Sequence, residues 1–295
     1  MKSKFAIEVR GVKKSFGNTV ALNGISLTVN KGSITGLVGR NGAGKTTLLR
    51  ILLQLLKPDS GEAFVLGEKM EGDKFEVRRK IGYVPEFFSL YSDMNGWELL
   101  KLNASLKNTH IDKEKVEKLS ELFSIDLNKR AGVLSKGAKQ ALAFVVAVST
   151  SPELLILDEP MSGMDPIARD TFIKAIVDEC AQGTTVFYSS HILPEVESFA
   201  DTVCIINQGK CVLEEALDTL KSRFKRISFL PSRTFSENVL KTMVGIKRFE
   251  YSGNGVVVYT SAFSGNLLAE LSKFSEGEPE VENLTLSEIF KEVIE

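Results

Sequence analysis

An α/β fold with a helical insertion, followed by a small α+β unit, is what this sequence predicts, and three observations carry the prediction. Short β-branched apolar runs alternate with helical patterns through the first three-quarters of the chain. From about Phe88 to Ser149 the β signal fades and helical periodicity stands alone. After about Lys221 the rhythm changes again, to β-α-β-β-α-β, the order of a ferredoxin-like unit. At 295 residues the chain is long enough to bury a sizeable core and carry a second domain. The expected division is 1–222 for the first domain, with its helical part at about 88–150, and 223–295 for the second.

The elements follow in order. Val20 to Val29 and Ser33 to Val38 read as strands. A glycine-rich turn then opens a helix from about Gly44 to Leu55, whose leucines cover nearly every side and predict burial. Lys57-Pro58-Asp59-Ser60-Gly61 ends it and turns into a strand at Glu62 to Leu66. Gly96 to Leu106, Asp112 to Phe123 and Lys136 to Ser149 read as helices, the second starting at an Asp112 cap. Strands resume at Leu154 to Leu157, Thr184 to Ser189 and Thr202 to Asn207. In the last quarter, a strand is expected at Ile227 to Leu230 and a helix at Ser236 to Met243. A hairpin at Ile246 to Thr260 turns on Gly253-Asn254-Gly255, before a helix at Asn266 to Phe274 and a strand near Val281 to Leu284.

Composition works by exclusion. Hydrophobic residues at 43% and charged residues at 25% rule out long disorder and a fibrous chain. The longest apolar run, Ala141 to Val148, is too short for a bilayer span, which takes about 20 residues. Glu8 and Arg10 follow Met1-Lys2-Ser3-Lys4-Phe5 where a secretory leader would turn apolar, so none is expected. With a net charge of −1, no strong global pull toward nucleic acid is expected. The local cluster Arg223-Phe224-Lys225-Arg226 reads as a solvated domain junction. The three cysteines, Cys180, Cys204 and Cys211, lack metal-ligand spacing and suit a reducing cytoplasm. Two histidines, His110 and His191, are too few for a His-rich metal site.

Chemistry enters at Gly39-Arg40-Asn41-Gly42-Ala43-Gly44-Lys45-Thr46, which matches G-x-x-x-x-G-K-[ST] directly after a strand and opens a helix. Bare backbone N–H groups in such a loop wrap a phosphate, and Gly39, Gly42 and Gly44 permit the close approach. The helix N-terminus, with Thr46 and Thr47 in its first turn, turns a partial positive charge to the same anion. Lys45 would reach the β- and γ-phosphates, and the Thr46 hydroxyl would ligate Mg²⁺. The second element is Leu154-Leu155-Ile156-Leu157-Asp158-Glu159-Pro160, a buried strand ending in two acids. Side chains alternate along a strand, so the two acids are expected on different sides with different tasks: Asp158 toward the Mg²⁺ shell, Glu159 polarising the attacking water. A GTPase would carry N-K-x-D; Asn128-Lys129-Arg130-Ala131 lacks the acid, which excludes that class.

These motifs resemble the ATPases of ABC transporters. Leu134-Ser135-Lys136-Gly137-Ala138-Lys139-Gln140 resembles that family's signature motif, Ser162-Gly163-Met164-Asp165 its D-loop, and His191 its switch histidine. Phe16, in Ser15-Phe16-Gly17, is similar in position to the aromatic that stacks on adenine. The resemblance spans about Phe5 to Lys221 in family order. Leu284-Thr285-Leu286-Ser287-Glu288-Ile289-Phe290 is similar to the tail of bacterial drug- and antibiotic-export ATPases. It implies a P-loop nucleotidase core of ABC type that binds ATP and Mg²⁺, through Phe16, Gly39, Asn41, Gly42, Gly44, Lys45, Thr46, Thr47, Ser135, Gly137 and Asp165. Glu159, His191 and Lys45 are the implied catalytic groups; Thr46, Glu86 and Asp158 would face the metal. Two copies, or this chain and a sister ATPase, would sandwich two ATP molecules head to tail. Ser135 and the Gly137 N–H would then meet the other subunit's γ-phosphate.

The sequence departs from the family pattern at two places. Glu86 follows Gly82-Tyr83-Val84-Pro85 where a glutamine is usual, which predicts retained activity with altered metal dependence. Lys136 and Ala138 stand where glycine and glutamine are usual; Lys136 lies near the opposite phosphate or points at solvent. The implied function is an ATP-driven motor for export through a separate membrane-spanning subunit, peripheral on the cytoplasmic face. That subunit would dock on the aromatic stretch of Phe87, Phe88, Leu90, Tyr91, Met94 and Trp97. A soluble ATPase acting on nucleic acid or ribosomes, disfavoured by the single phosphate loop, and a regulatory cassette with little hydrolysis, kept open by Glu86, are the alternatives.

Overall fold

The computed structural model describes residues 4–86 and 91–294. Among them, β1 (Phe5–Phe16) pairs antiparallel with β2 (Thr19–Asn30); β3 (Ile34–Val38) leads into α1 (Lys45–Leu52). There follow β4 (Ser60–Val65), β5 (Glu68–Lys69), α2 (Phe75–Arg78) and β6 (Ile81–Val84), then α3 (Gly96–Leu106), α4 (Lys113–Leu122) and α5 (Lys136–Val148). The chain returns through β7 (Leu154–Asp158), α6 (Pro166–Ala181), β8 (Thr185–Ser190), α7 (Leu193–Phe199), β9 (Thr202–Asn207) and β10 (Lys210–Ala216). After α8 (Leu217–Arg223) come β11 (Lys225–Phe229), α9 (Glu237–Thr242), β12 (Ile246–Ser252), β13 (Gly255–Thr260), α10 (Gly265–Ser272), β14 (Glu280–Asn283) and α11 (Leu286–Ile294).

Contacts divide the chain into two compact units, Met1–Ile192 with Phe199–Glu214, and Leu193–Ser198 with Glu215–Glu295. The first holds an antiparallel sheet in the order β2-β1-β4-β5 and a six-stranded sheet in the order β10-β9-β3-β8-β7-β6. Strands β3, β6, β7, β8 and β9 of the larger sheet run parallel, and β3, β7 and β8 are buried along their whole length, as a strand covered on both faces must be. Parallel neighbours bring all their C-terminal ends to one edge, so Val38, Val84, Asp158 and Ser190 end side by side there. Leu48, Leu49 and Leu52 of α1 pack into the core with Leu22, Ile25, Ile156, Phe187 and Ile206. This helix is shorter than its leucine pattern predicts. Gln54, at φ 57, ends it, and Leu55 is 66% exposed.

The helical insertion is built on caps and one aromatic cluster. Asn95 and Glu98 form a reciprocal capping box on α3, and Asp112 caps α4 by accepting from the Lys115 N–H. Phe123, Phe144 and Phe172 bring the end of α4, α5 and α6 together, with ring centroids 4.8–5.9 Å apart. Two lysines tie the insertion to its surroundings: Lys107 donates to the carbonyl of Ile81 and to Thr150, and Lys115 pairs with buried Glu179 at 2.9 Å.

The second unit has an antiparallel sheet in the order β12-β13-β11-β14, with α9 and α10 between its strands in sequence. Ile227, Phe229, Leu240, Val256, Val258, Leu267 and Leu271 form its core. The basic cluster that reads as solvated is largely neutralised within this unit: Arg223 pairs with Glu215, Arg226 with Glu282, and Lys225 bonds Asn283. Strands β1, β5, β6 and β10 and helices α2, α6, α7, α8 and α11 are elements that the sequence pattern left unassigned.

Candidate functional site

The phosphate-type loop spans the end of β3 and the start of α1. A Cβ on Gly39 would sit 2.5 Å from the Ile206 carbonyl oxygen, so β9 packs against the loop with no space for a side chain. Gly44, at φ 111, caps α1 in a left-handed conformation, and a Cβ there would meet the Ala21 carbonyl at 2.6 Å. The loop is thereby held between β2 and β9, and the open N-terminus of α1 faces a cavity of about 580 Å³.

Phe16, Asn41, Gly42, Gly44, Lys45, Thr46, Thr47, Glu86, Glu159 and His191 all line this cavity, together with Thr19, Val20, Ala21 and Ser162. Phe16 is 51% exposed, a ring available at the mouth. Lys45 is buried; its Nζ donates to the Gly39 carbonyl at 2.9 Å and lies 3.2 Å from Glu159 Oε1. The other carboxylate oxygen of Glu159 is 2.7 Å from His191 Nδ1. Glu159 has φ 47, and its N–H donates to Ser189. Strand geometry therefore ends at Asp158, and the separation of the two acids comes from a left-handed turn in addition to the alternation expected along a strand.

Asp158 lies beneath the lining. Its Oδ1 accepts from the Ser189 hydroxyl at 2.7 Å and from the Thr46 hydroxyl at 3.3 Å. Burial pushes its carboxyl above the usual range, and the two hydroxyls partly offset that. Tyr83, on β6, is pushed up to about 12 by burial and then by the Asp158 charge, so it stays neutral. Thr46 and Glu86 line the cavity and Asp158 lies beneath it, bonded to Thr46; all three offer the hard oxygen donors that suit Mg²⁺.

Ser135, Gly137 and Asp165 lie outside the lining. Ser135 caps α5 by accepting from the Ala138 N–H, and Asp165 caps α6 by accepting from the Ala168 N–H. Gly137 faces Met164, and Lys136 Nζ approaches Ser162 Oγ at 3.5 Å. Lys136 thus reaches the 162–165 turn of its own chain. Ser189 is a residue that sequence reasoning missed at this site, and Gln140, the last residue of the signature-like segment, was given no role there. A visible signal was the polar run Ser189-Ser190 ending an otherwise apolar strand; nothing local to Gln140 shows its contact with the Pro85 and Glu86 carbonyls.

The family profile described as "ABC transporter" matches residues 22–162. The bacitracin transport ATP-binding protein BcrA of Bacillus licheniformis is 33% identical over 290 residues, covering 96% of this chain and 93% of its own. The chain belongs to the ABC transporter ATP-binding proteins. An uncharacterized ABC transporter ATP-binding protein of Nostoc sp. is 39% identical over 207 residues, 68% of this chain, and the chain spans 61% of that protein's length. A solved ATP-binding subunit of an ABC transporter superposes with a TM-score of 0.67 at 27% identity, covering 74% of this chain and 92% of the other. This cassette is accordingly an ATP hydrolase with the ABC-type nucleotidase fold. No helix among its described residues is long and apolar enough to cross a membrane.

Proposed function

We propose that this cassette is the motor subunit of an export transporter and that Glu159 is its general base. The observation that carries the reading is Glu159 itself, held at the cavity between Lys45 and His191 by its two carboxylate oxygens. Phe16 stacks on the adenine, and the loop N–H groups of Asn41, Gly42 and Gly44 hold the phosphates, with Gly39 keeping the loop close to β9. Lys45 transfers from Glu159 to the β- and γ-phosphates, which frees the carboxylate to accept a proton from the attacking water. His191 orients Glu159 and contacts the γ-phosphate. Thr46, Glu86 and Asp158 would hold Mg²⁺, which supplies charge neutralisation at the β- and γ-oxygens; Thr47 extends the first-turn donors.

Ser135, Gly137 and Asp165 lie on one end of α5 and the start of α6, outside the cavity that would serve their own nucleotide. Facing the nucleotide of a second cassette gives them a partner, and an ATP that bridges two copies favours the closed pair because the open form lacks those contacts. A membrane-spanning subunit completes the transporter and keeps the cassette peripheral on the cytoplasmic face. Transport is supported by the bacitracin-transport relative, and export by a Nod factor export ATP-binding protein of Rhizobium sp., 33% identical over 265 residues. Tyr91, 53% exposed, and half-buried Met94 and Trp97 are the described part of the docking surface; Phe87, Phe88 and Leu90 lie outside the described residues.

The test is a pull-down of tagged Glu159→Gln cassette from detergent-solubilised native membranes with ATP and Mg²⁺. A stoichiometric polytopic membrane protein, lost when Tyr91 and Met94 are replaced by charged residues, supports the reading. Ribosomal or DNA-bound material with no membrane partner overturns it.

A further inference from the structure

The loop after β6 carries Glu86 and has left the sheet, so its carbonyls have no strand partner to satisfy them. Gln140 fills that role. Its Nε2 donates to the Glu86 carbonyl at 2.9 Å and to the Pro85 carbonyl at 3.1 Å, and the residue is 2% exposed. The Gln140 side-chain oxygen makes no hydrogen bond among the described residues, so the carboxamide is kept for its two N–H donors alone. Gln140 stands on α5, the helix that Ser135 caps, and most of that helix is buried. Helix α5 also packs on β6, where the loop begins. Pro85 already restricts its own φ; holding the next two carbonyls fixes the peptide planes on both sides of Glu86. The direction in which the Glu86 carboxylate leaves the backbone therefore depends on α5.

We propose that Gln140 is a positioning residue for metal binding: it sets the Glu86 carboxylate against Thr46 and Asp158 and ties that end of the cavity to the helix that starts at Ser135. This rests on the reading of Glu86 as facing the metal. A rigid helix with a donor fork at Gln140 and a cap at Ser135 makes any displacement of its N-terminal end a displacement of Glu86. Removal of the fork leaves two carbonyls unpaired and releases the loop, so the metal loses a pre-aimed ligand while the phosphate loop, packed against β2 and β9, keeps its own contacts.

The experiment uses the full chain and Mn²⁺ as a spectroscopic stand-in for Mg²⁺. Free Mn²⁺ is followed by electron paramagnetic resonance with a non-hydrolysable ATP analogue bound, and metal-free nucleotide affinity is followed by a fluorescent ATP analogue. Gln140→Leu is expected to weaken Mn²⁺ by about tenfold and metal-free nucleotide by less than about twofold. In a Glu86→Ala background the Gln140→Leu change is expected to add nothing. Equal weakening of both ligands, or a Mn²⁺ effect that persists without Glu86, means general loosening of the fold and overturns the proposal. A Glu86→Ala single variant with unchanged Mn²⁺ affinity overturns the reading of Glu86 itself, an outcome distinct from the first two. If Gln140→Leu does not fold, Gln140→Met, unbranched and adaptable, replaces it with the same expectations.

Discussion

His191 and Glu159 are joined side chain to side chain, Nδ1 to Oε2 at 2.7 Å, across the ends of two neighbouring parallel strands. The opposite carboxylate oxygen is 3.2 Å from Lys45 Nζ, so one acid is oriented from both sides. The pair exists because β7 and β8 run parallel and terminate at the same level, with Asp158 opposite Ser189. A general base is useful only when aimed, and these two contacts would aim Glu159 in the role proposed for it.

Glu159→Gln should reduce phosphate release by about 10²- to 10⁴-fold, the range for loss of a general base, while nucleotide binding survives. Single-turnover phosphate release and a fluorescent-nucleotide titration measure the two quantities separately. Hydrolysis within about threefold of wild type would remove Glu159 from the mechanism.

His191→Ala should lower kcat for the same reason, and the double variant with Glu159→Gln should be scarcely slower than Glu159→Gln alone. Residues that act through one another are not additive. Multiplicative losses in the double-mutant cycle would mean that His191 works independently of Glu159.

Glu86→Gln should keep hydrolysis and raise the Mg²⁺ concentration for half-maximal rate, because a neutral amide oxygen is a weaker ligand for a hard cation than a carboxylate. A Mg²⁺ titration of steady-state ATPase decides it. An unchanged profile would show that Glu86 does not face the metal.

Glu179→Ala should cost about 3 kcal/mol of folding stability, since it leaves Lys115, 12% exposed at its side chain, without its anion. Urea unfolding at neutral pH gives the number. A loss below about 1 kcal/mol would mean that Lys115 reaches water once freed.

Burial holds the Lys107 ammonium down to about 8, against an ordinary value of 10.5. Between those two values the unfolded chain keeps a proton that the folded chain has released, so this group's contribution to stability rises with pH across the window. The stability present above 10.5 is lost as pH falls through about 8. Unfolding free energies of wild type minus Lys107→Met, measured from pH 7 to 10.5, should climb by at most about 1.4 kcal/mol per pH unit. A flat difference would place the amine in water.

Much of the nucleotide cavity was legible because its parts are local. The spacing from Gly39 to Thr46 needs only a strand, a tight loop and a helix start, all written within one short segment. Asp112 read as a cap for the same reason: a side-chain oxygen and an N–H three residues on settle the geometry. Leu55 misled, because leucine periodicity says nothing of the left-handed Gln54 that ends α1. Strand β10 was missed because none of its residues is buried and its exposed face mixes Val212 and Ala216 with Lys210 and Glu214, which blurs the alternation, and α6 because its helix pattern is weakly one-sided.

The sequence by itself determined the chemistry: the phosphate loop, the acid pair, the histidine and the order in which they occur, each set by contacts within a few residues of chain. Tertiary structure alone decided how they meet. Lys45 and Glu159 are far apart in sequence and 3.2 Å apart in space because a parallel sheet sets every strand's end at one edge. The same holds for Gln140, whose partners at Pro85 and Glu86 are chosen by the packing of α5 on β6. A buried carbonyl must find a donor, and only the folded chain specifies which donor is within reach.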